Sequence, residues 1–467
     1  MERPNILFLF ADDQRHDTIA ALGNPHIRTP NLDRLVARGV AFTQAHIPGG
    51  TSAAICMPSR AMLFTGRSLF RLHDAGQTIP EEHPTLGEVL RRHGYHTFGC
   101  GKWHNGPGAF QRSFADGDEI FFGGMADHWN VPLFRYDPSG QYDATLPAIP
   151  DPFTGNRIVH RRCDHIYPGR HSSEILSDAA VRFLHAYRGS RPFFLYVSYL
   201  APHDPRTVPP EYTAMYDPDE IELPPNFLRE HPFNNGDHRV RDEKLVPTPR
   251  DPGEIRRHIS EYYASITYLD AQIGKVLDAL EATGLAENTL VVFAADNGLA
   301  VGQHGLLGKQ NCYDHSVRVP LIMAGPGIPR GERRDAYVYL FDLFPTLCDL
   351  VGAPVPPSVD ARSFAHILHE PKAPGRESLY FAYLQYQRAV KDRRYKLIEY
   401  VVDGRHSMTQ LFDLVDDPWE TRNLAGDPGY GDCLERLRRE LRTHAVTSGD
   451  LESEWGKAFW PAYDRAN

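Results

Sequence analysis

The sequence predicts an α/β fold in which a large, mostly parallel sheet flanked by helices precedes a smaller C-terminal α+β domain carrying an antiparallel sheet. Three observations predict it. Apolar runs of strand length alternate with amphipathic helical stretches through most of the chain. Residues able to do chemistry fall directly after those runs. Beyond about residue 370 the alternation gives way to closely spaced strand patterns. At 467 residues the chain exceeds what one compact core usually holds, and its division is expected at residues 1–370 and 371–467.

Ile6 to Phe10 reads as the first strand. A helix follows at Pro30 to Arg38, with Thr29 as N-cap, Pro30 at the first helical position and Gly39 just past the end. Thr97 to Cys100 is a short apolar run. Ser173 to Tyr187 is a second helix, with Leu176, Ala180, Phe183, Leu184 and Tyr187 on one face, and it leads into the strand Phe193 to Val197. A long helix runs from about Glu254 to Ala282 on a stripe that includes Ile259, Tyr262, Ile266, Leu269, Ile273, Val276 and Leu280. Leu290 to Phe293 and Pro320 to Met323 read as further strands. Two stretches break the rhythm: 105–170, rich in Gly, Pro, Asp and aromatics, and 217–252, rich in Pro and charge. Both are too long for connectors and are expected to wall a site. In the C-terminal part, Tyr395 to Ile398 and Gln410 to Leu414 read as strands and Leu434 to His444 as a charged helix.

With 41% hydrophobic, 24% charged and 11% aromatic residues, the composition is that of a soluble globular protein. A net charge of -10 argues against a general nucleic-acid binder. It also means that an anionic substrate has to be met by positive charge gathered in one pocket. The six cysteines (Cys56, Cys100, Cys163, Cys312, Cys348, Cys433) show no metal-like spacing and are expected to be free, buried thiols. The N-terminal apolar run is only strand length and two aspartates follow it, so it is neither a signal peptide nor a membrane span. As written the chain reads as cytoplasmic, or as periplasmic or secreted where a leader has been removed, with no membrane partner.

Four strands end in polar residues. Asp12-Asp13 follow the first, Lys102 and His104 follow the run ending at Cys100, His203 follows the strand ending near Leu200, and Asp296-Asn297 follow the strand ending at Ala294. Parallel sheets bind ligands at the carboxyl ends of their strands. Asp12, Asp13, Asp296 and Asn297 together are an all-oxygen set for a hard divalent cation, Ca2+ first, with Mg2+ or Mn2+ as alternatives. Each pair alone is also a turn signature. Cys56-Met57-Pro58-Ser59-Arg60 opens a helix, which would set an unmodified Cys56 in the positive potential of free backbone amides and favour its thiolate.

Cys56-x-Pro58-Ser59-Arg60, continuing to Leu63 and Thr65-Gly66-Arg67, resembles the signature of type I sulfatases of the alkaline phosphatase superfamily. Pro4-Asn5-Ile6 with Asp12-Asp13, Gly101-Lys102-Trp103-His104, Pro202-His203, Asp296-Asn297-Gly298, Gly308-Lys309 and Leu411-Phe412-Asp413-Leu414 resemble landmarks of that family in the same order. The resemblance implies an alkaline-phosphatase-like fold and a sulfuric ester hydrolase. It implies that Cys56 is oxidised to Cα-formylglycine by a formylglycine-generating maturation enzyme. One hydroxyl of the hydrated aldehyde, held with Asp12, Asp13, Asp296 and Asn297 against the cation, would attack sulfur; the second would lose its proton to release sulfate. Arg60 would hold the hydrate, Lys102 and Lys309 would bind sulfate oxygens, and His104 would be the base. His203, with Lys309, would bind substrate and protonate the leaving alkoxide. His304 would lie near the substrate.

The nearest alternative is a formylglycine-dependent phosphonate monoester or phosphodiester hydrolase; such enzymes often carry His where Asn297 stands. A non-catalytic scaffold is expected to lack one of Cys56, Arg60, Lys102, His104 or Lys309, and all are present. A phosphatase using an unmodified Cys leaves Pro58 and Arg60 without a reason. The substrate expected is a small sulfated molecule, a sugar first, with Asp127-His128-Trp129, Arg161-Arg162 and His165 as candidates for its wall.

Overall fold

The computed structural model describes residues 3–237 and 239–466. An eight-stranded sheet forms the centre, from β1 (Asn5–Ala11), β2 (Gly39–Phe42), β3 (His96–Lys102), β4 (Asp116–Phe121), β5 (Phe193–Ser198), β6 (Thr289–Ala295), β7 (Leu321–Ala324) and β8 (Glu332–Arg334). Their order is β8-β2-β7-β6-β1-β5-β3-β4. Only β7 is reversed, pairing antiparallel with both β6 and β2. The strand expected at Pro320–Met323 is therefore real, but it interrupts the parallel run.

β1 is buried along its whole length, as a central parallel strand must be. Its side chains alternate between two cores: Ile6, Phe8 and Phe10 face one, Leu7, Leu9 and Ala11 the other. The helices α3 (Ser172–Ala186) and α4 (Pro252–Ala282) cover the second face through Leu176, Ala180, Leu269, Ile273 and Val276. α2 (Cys56–Thr65) packs Met62, Leu63 and Phe64 into the first. At α1 (Pro30–Arg38) the expected bounds hold but the capping differs. Thr29 makes no cap bond; its hydroxyl receives the Ala20 N–H and donates to Asp33. The free amides of Asn31 and Leu32 instead donate to Asp270 of α4, so a tertiary carboxylate serves as the cap. Gly39 does not stop the helix as a left-handed residue; it opens β2, where a Cβ would sit 2.1 Å from the Met323 carbonyl oxygen.

The C-terminal sheet consists of β9 (Leu379–Tyr383), β10 (Gln387–Lys391), β11 (Tyr395–Val402) and β12 (Arg405–Asp413), with Gly49–Gly50 from the N-terminal half added alongside β9. α5 (Gly431–Ser448) and α6 (Glu454–Asp464) cover its outer face, and buried Arg388 pairs with Asp450 between sheet and helices. The first insertion contributes an exposed hairpin, Thr145–Ala148 with Val159–Arg162. No helix among the described residues is long and apolar enough to cross a membrane.

Gly101 shows how tightly the sheet edge is made. Its φ is +90°, a Cβ there would lie 1.9 Å from the Ser198 carbonyl oxygen, and the β3–β4 register shifts at this point. Gly101→Ala is expected to cost at least about 2 kcal/mol of folding free energy, read from urea denaturation, because strain and overlap add. An unchanged midpoint would refute the tight approach.

Candidate active site

β6, β1, β5 and β3 lie side by side and parallel, so the residues after their carboxyl ends share one edge. Asp12 and Asp13 leave β1, Asp296 and Asn297 leave β6, Lys102 ends β3 and His203 follows β5. α2 points its N-terminus at the same place, and Cys56 and Arg60, four residues apart, share its inner face. The side-chain amide of Asn105 pins this helix start by donating to Met57 O and Gly76 O.

The site is a dry charge cluster. Asp12, Asp296, Asn297 and Lys102 are fully buried, and Asp13, Cys56, Arg60 and Lys309 nearly so. Arg60 Nε donates to Asp296 Oδ2 at 2.9 Å and its Nη1 to Ser198 Oγ at 2.6 Å. Lys102 Nζ pairs with Asp12 and lies 3.6 Å from Cys56 Sγ. Lys309 Nζ and Asn297 Nδ2 each donate to Asp13 Oδ1 at 2.5 Å. His104 Nδ1 is 3.5 Å from Cys56 Sγ, and His203 Nε2 is 3.6 Å from Asp13 Oδ2.

Two oxygens break the pairing. Asp12 Oδ1 and Asn297 Oδ1 are buried without a hydrogen-bond partner. Ligand atoms of Asp12, Cys56 and Asp296 lie within 4.8 Å of one another, as do those of Asp12, Asp13 and His203. Orphaned hard oxygens beside clustered carboxylates fit a divalent cation bound by oxygen. Burial draws the Asp12 carboxyl upward, but Lys102 and Arg60 outweigh it and hold it well below the usual range. Asp296 is pushed up instead, by burial and by the Asp12 charge beside it.

The thiolate expectation is corrected here. Burial raises the Cys56 thiol above its ordinary value in spite of Lys102 and Lys309, so the unmodified side chain is a poor nucleophile at neutral pH. His104 is pushed down to about 3 by burial, then by Lys102 and Arg60, which leaves a neutral ring facing residue 56.

A cavity of about 210 Å³ opens over Cys56, His104, His203 and Lys309. Its wall includes Gly124 and Met125 from the first insertion and Val240, Arg241 and Asp242 from the second. The expectation that both insertions wall a site thus holds, but the residues differ. His128 is a buried support for the His203 backbone, His165 is paired with Glu119, and Arg161 and Arg162 sit on the exposed hairpin. His304 is not brought to the cavity; its ring stacks on Tyr313 at 4.0 Å and its Nε2 meets Asn226. Arg241, Asp242 and Gln310 were not singled out from sequence, although the charge of the second insertion was a signal for the first two.

Oxygens suited to a cation, a buried cysteine at a helix start and clustered cations at a parallel-sheet edge fit an ester hydrolase of α/β class. The profile of the sulfatase family matches residues 4–353, and that of the C-terminal part of N-sulphoglucosamine sulphohydrolase matches residues 302–447. The chain belongs to the sulfatase family and is a hydrolase of sulfuric esters. It is 28% identical to a sulfatase of Formosa agariphila over 99% of this chain and 90% of that one. It is also 28% identical to iduronate 2-sulfatase of Mus musculus, over 93% of each chain. The fold matches the crystal structure of the phosphonate monoester hydrolase of Agrobacterium radiobacter with a TM-score of 0.74, at 21% identity over 96% of both chains.

His104, His171 and His304 are each pushed down to about 3, with burial the largest cause. Unfolded, each binds a proton below about pH 6.5. Between that pH and about 3 the unfolded chain therefore holds more protons than the fold, and stability falls as pH falls. His171, the N-cap of α3 and remote from the carboxylates, isolates the effect. In urea titrations from pH 7 to 5, His171→Asn is expected to reduce the average slope by about 1 kcal/mol per pH unit, because the unfolded histidine is only partly protonated near pH 7. An unchanged slope would contradict this assignment.

Proposed function

We propose that this pocket removes sulfate from the O-sulfate ester of a small carbohydrate, with Cys56 converted to formylglycine by a maturation enzyme. The observation that carries the reading is the pair of orphaned oxygens, Asp12 Oδ1 and Asn297 Oδ1, beside a buried residue 56 whose own thiol is a poor nucleophile. Asp12, Asp13, Asp296 and Asn297 would hold a divalent cation, Ca2+ first; with the hydrated aldehyde it supplies an activated oxygen nucleophile and charge to oppose the sulfate.

The chain's own residues do the rest. Arg60, fixed between Asp296 and Ser198, orients residue 56. Lys102 and Lys309 offer ammonium groups to sulfate oxygens; burial alone would lower both, but Asp12 and Asp13 keep them charged. Neutral His104 takes a proton from the group at position 56. His203 gives one to the departing alkoxide. A cavity of about 210 Å³ holds the sulfate and a small part of the substrate, leaving the remainder to the rim. The sugar assignment is supported by relatives named for sugar sulfates, such as iduronate 2-sulfatase.

Protein made with a formylglycine-generating enzyme is expected to yield a Cys56 peptide roughly 18 Da lighter, and to release sulfate from an aryl sulfate and from sulfated monosaccharides. Converted protein that prefers phosphonate or phosphodiester probes would transfer the assignment to that activity. A cysteine left intact by a competent maturation enzyme would overturn the mechanism. Separately, after chelation, Ca2+ is expected to raise the unfolding temperature, by about 2.7 kcal/mol of stabilisation at a hundredfold excess over Kd. Asp12→Asn should abolish that rise; a rise that persists would place the ion elsewhere.

A further inference from the structure

His203 is held more firmly than a surface histidine at a pocket rim requires. Its N–H donates to the Leu200 carbonyl at 3.1 Å, and its own carbonyl receives His128 Nε2 at 2.9 Å. His128 is buried and its other nitrogen meets Ser172 Oγ at 2.6 Å. The backbone at 203 is thereby pinned from both sides.

The ring is held separately. His203 Nδ1 lies 2.8 Å from the main-chain oxygen of Asp204 and 3.4 Å from Asp204 Oδ1. Both partners are acceptors, so Nδ1 carries a proton and Nε2 is the nitrogen presented to the pocket. Asp204 is 8% exposed and divides its carboxylate, with Oδ2 on the Arg241 guanidinium and Oδ1 toward the His203 ring. Arg241 comes from the second insertion, also contacts Asp242, and lines the cavity together with His203.

We propose that Asp204, steadied by Arg241, is a positioning residue that fixes the rotamer and tautomer of His203 so that Nε2 meets the leaving oxygen. The inference rests on the sulfate-ester reading above. In the step concerned the S–O bond to the organic group breaks with its electron pair passing to that oxygen. With both ring nitrogens protonated at the start of the step, the Nε2 proton passes to the same oxygen, giving the alcohol and a neutral ring that keeps Nδ1–H. The new S–O bond is made by the nucleophile at position 56. Orientation of Nε2 matters in proportion to how badly the leaving oxygen needs the proton: a sugar alkoxide needs it, a nitrophenolate does not.

The test uses maturation-complete protein, with conversion of Cys56 checked by peptide mass in every variant. For Asp204→Ala, kcat on a sulfated monosaccharide is expected to fall about 10- to 100-fold, part of the ~10²–10⁴-fold that a placed proton donor supplies. KM should move by less than about threefold, and turnover of 4-nitrophenyl sulfate should fall by less than about threefold. Arg241→Met should show the same split at smaller size, and carries the test should Asp204→Ala fail to fold. In a His203→Ala background Asp204→Ala should add less than about twofold, since the two act as one unit. An equal fall on both esters, or no fall on either, in variants with wild-type unfolding midpoints overturns the inference and leaves the sulfatase reading standing. A wild type that releases sulfate from no ester overturns both.

Discussion

Asp12, Asp13 and Asp296 meet at one sheet edge with almost no access to water. Three carboxylates cannot share such a place unaided, because each loses its hydration and repels the others. The fold answers with Lys102, Lys309 and Arg60, delivered from β3, from the loop after β6 and from α2. Segments far apart in the chain are therefore tied together by one charge cluster. Removing a single member strands its partner in a dry interior, which costs far more than an intact pair contributes. The two oxygens left over are where the balance is incomplete, and they are the natural place for a further positive charge.

Parallel strands make that convergence geometrically cheap. Neighbouring strands are about 4.8 Å apart, so residues at the carboxyl ends of β6, β1 and β5 fall within side-chain reach of one another without any long loop. β3 supplies Lys102 from within its last position, and the positive φ of Gly101 lets the strand pass close to Ser198, whose hydroxyl receives Arg60. α2 adds residue 56 and Arg60 one helical turn apart on one face. Residues 56, 60 and 102 thus sit on rigid elements, while Met125, Val240, Arg241 and Asp242 of the cavity wall come from the insertions.

Five of the eight central strands were legible because they read as apolar runs between amphipathic helices; β2, β4 and β8 were not, and β4, only half buried, lies within the stretch 105–170 that read as an insertion. The reversal of β7 was not legible either, since strand direction leaves no mark in a four-residue apolar run. α1 was located correctly, but its cap was not: Thr29 satisfies the pattern of a capping residue, while Asp270, some 240 positions away, supplies the bonds. Asp12, Asp13, Lys102, His203, Asp296 and Asn297 could be singled out because they stand at or just after strand ends. His304 was misplaced because a histidine in a Gly-flanked loop looks the same whether it faces a cavity or stacks on Tyr313. Arg241 and Asp204 were not singled out because their ion pair runs across two loops, a contact that has no sequence period.

The chain's net charge of -10 and its taste for an anionic substrate are compatible because the charges act at different ranges. Exposed acidic groups farther away than the Debye length, about 8 Å at physiological ionic strength, are largely screened from an approaching ester. Inside the pocket screening is weak, and three carboxylates face three cations in near balance. A divalent ion added to that set makes the pocket positive by about two charges, opposite in sign to the surface around it. A sulfate ester carries one negative charge; a phosphate monoester carries nearly two at neutral pH. Transfer of a sulfuryl group to the nucleophile leaves its charge on the pocket while the alcohol departs neutral, provided a proton reaches the leaving oxygen in time. The excess positive charge therefore favours binding and bond cleavage, but does nothing for the alkoxide on the outer side. His203 stands on that side of the cavity, which is why the role proposed for it is that of an oriented proton donor.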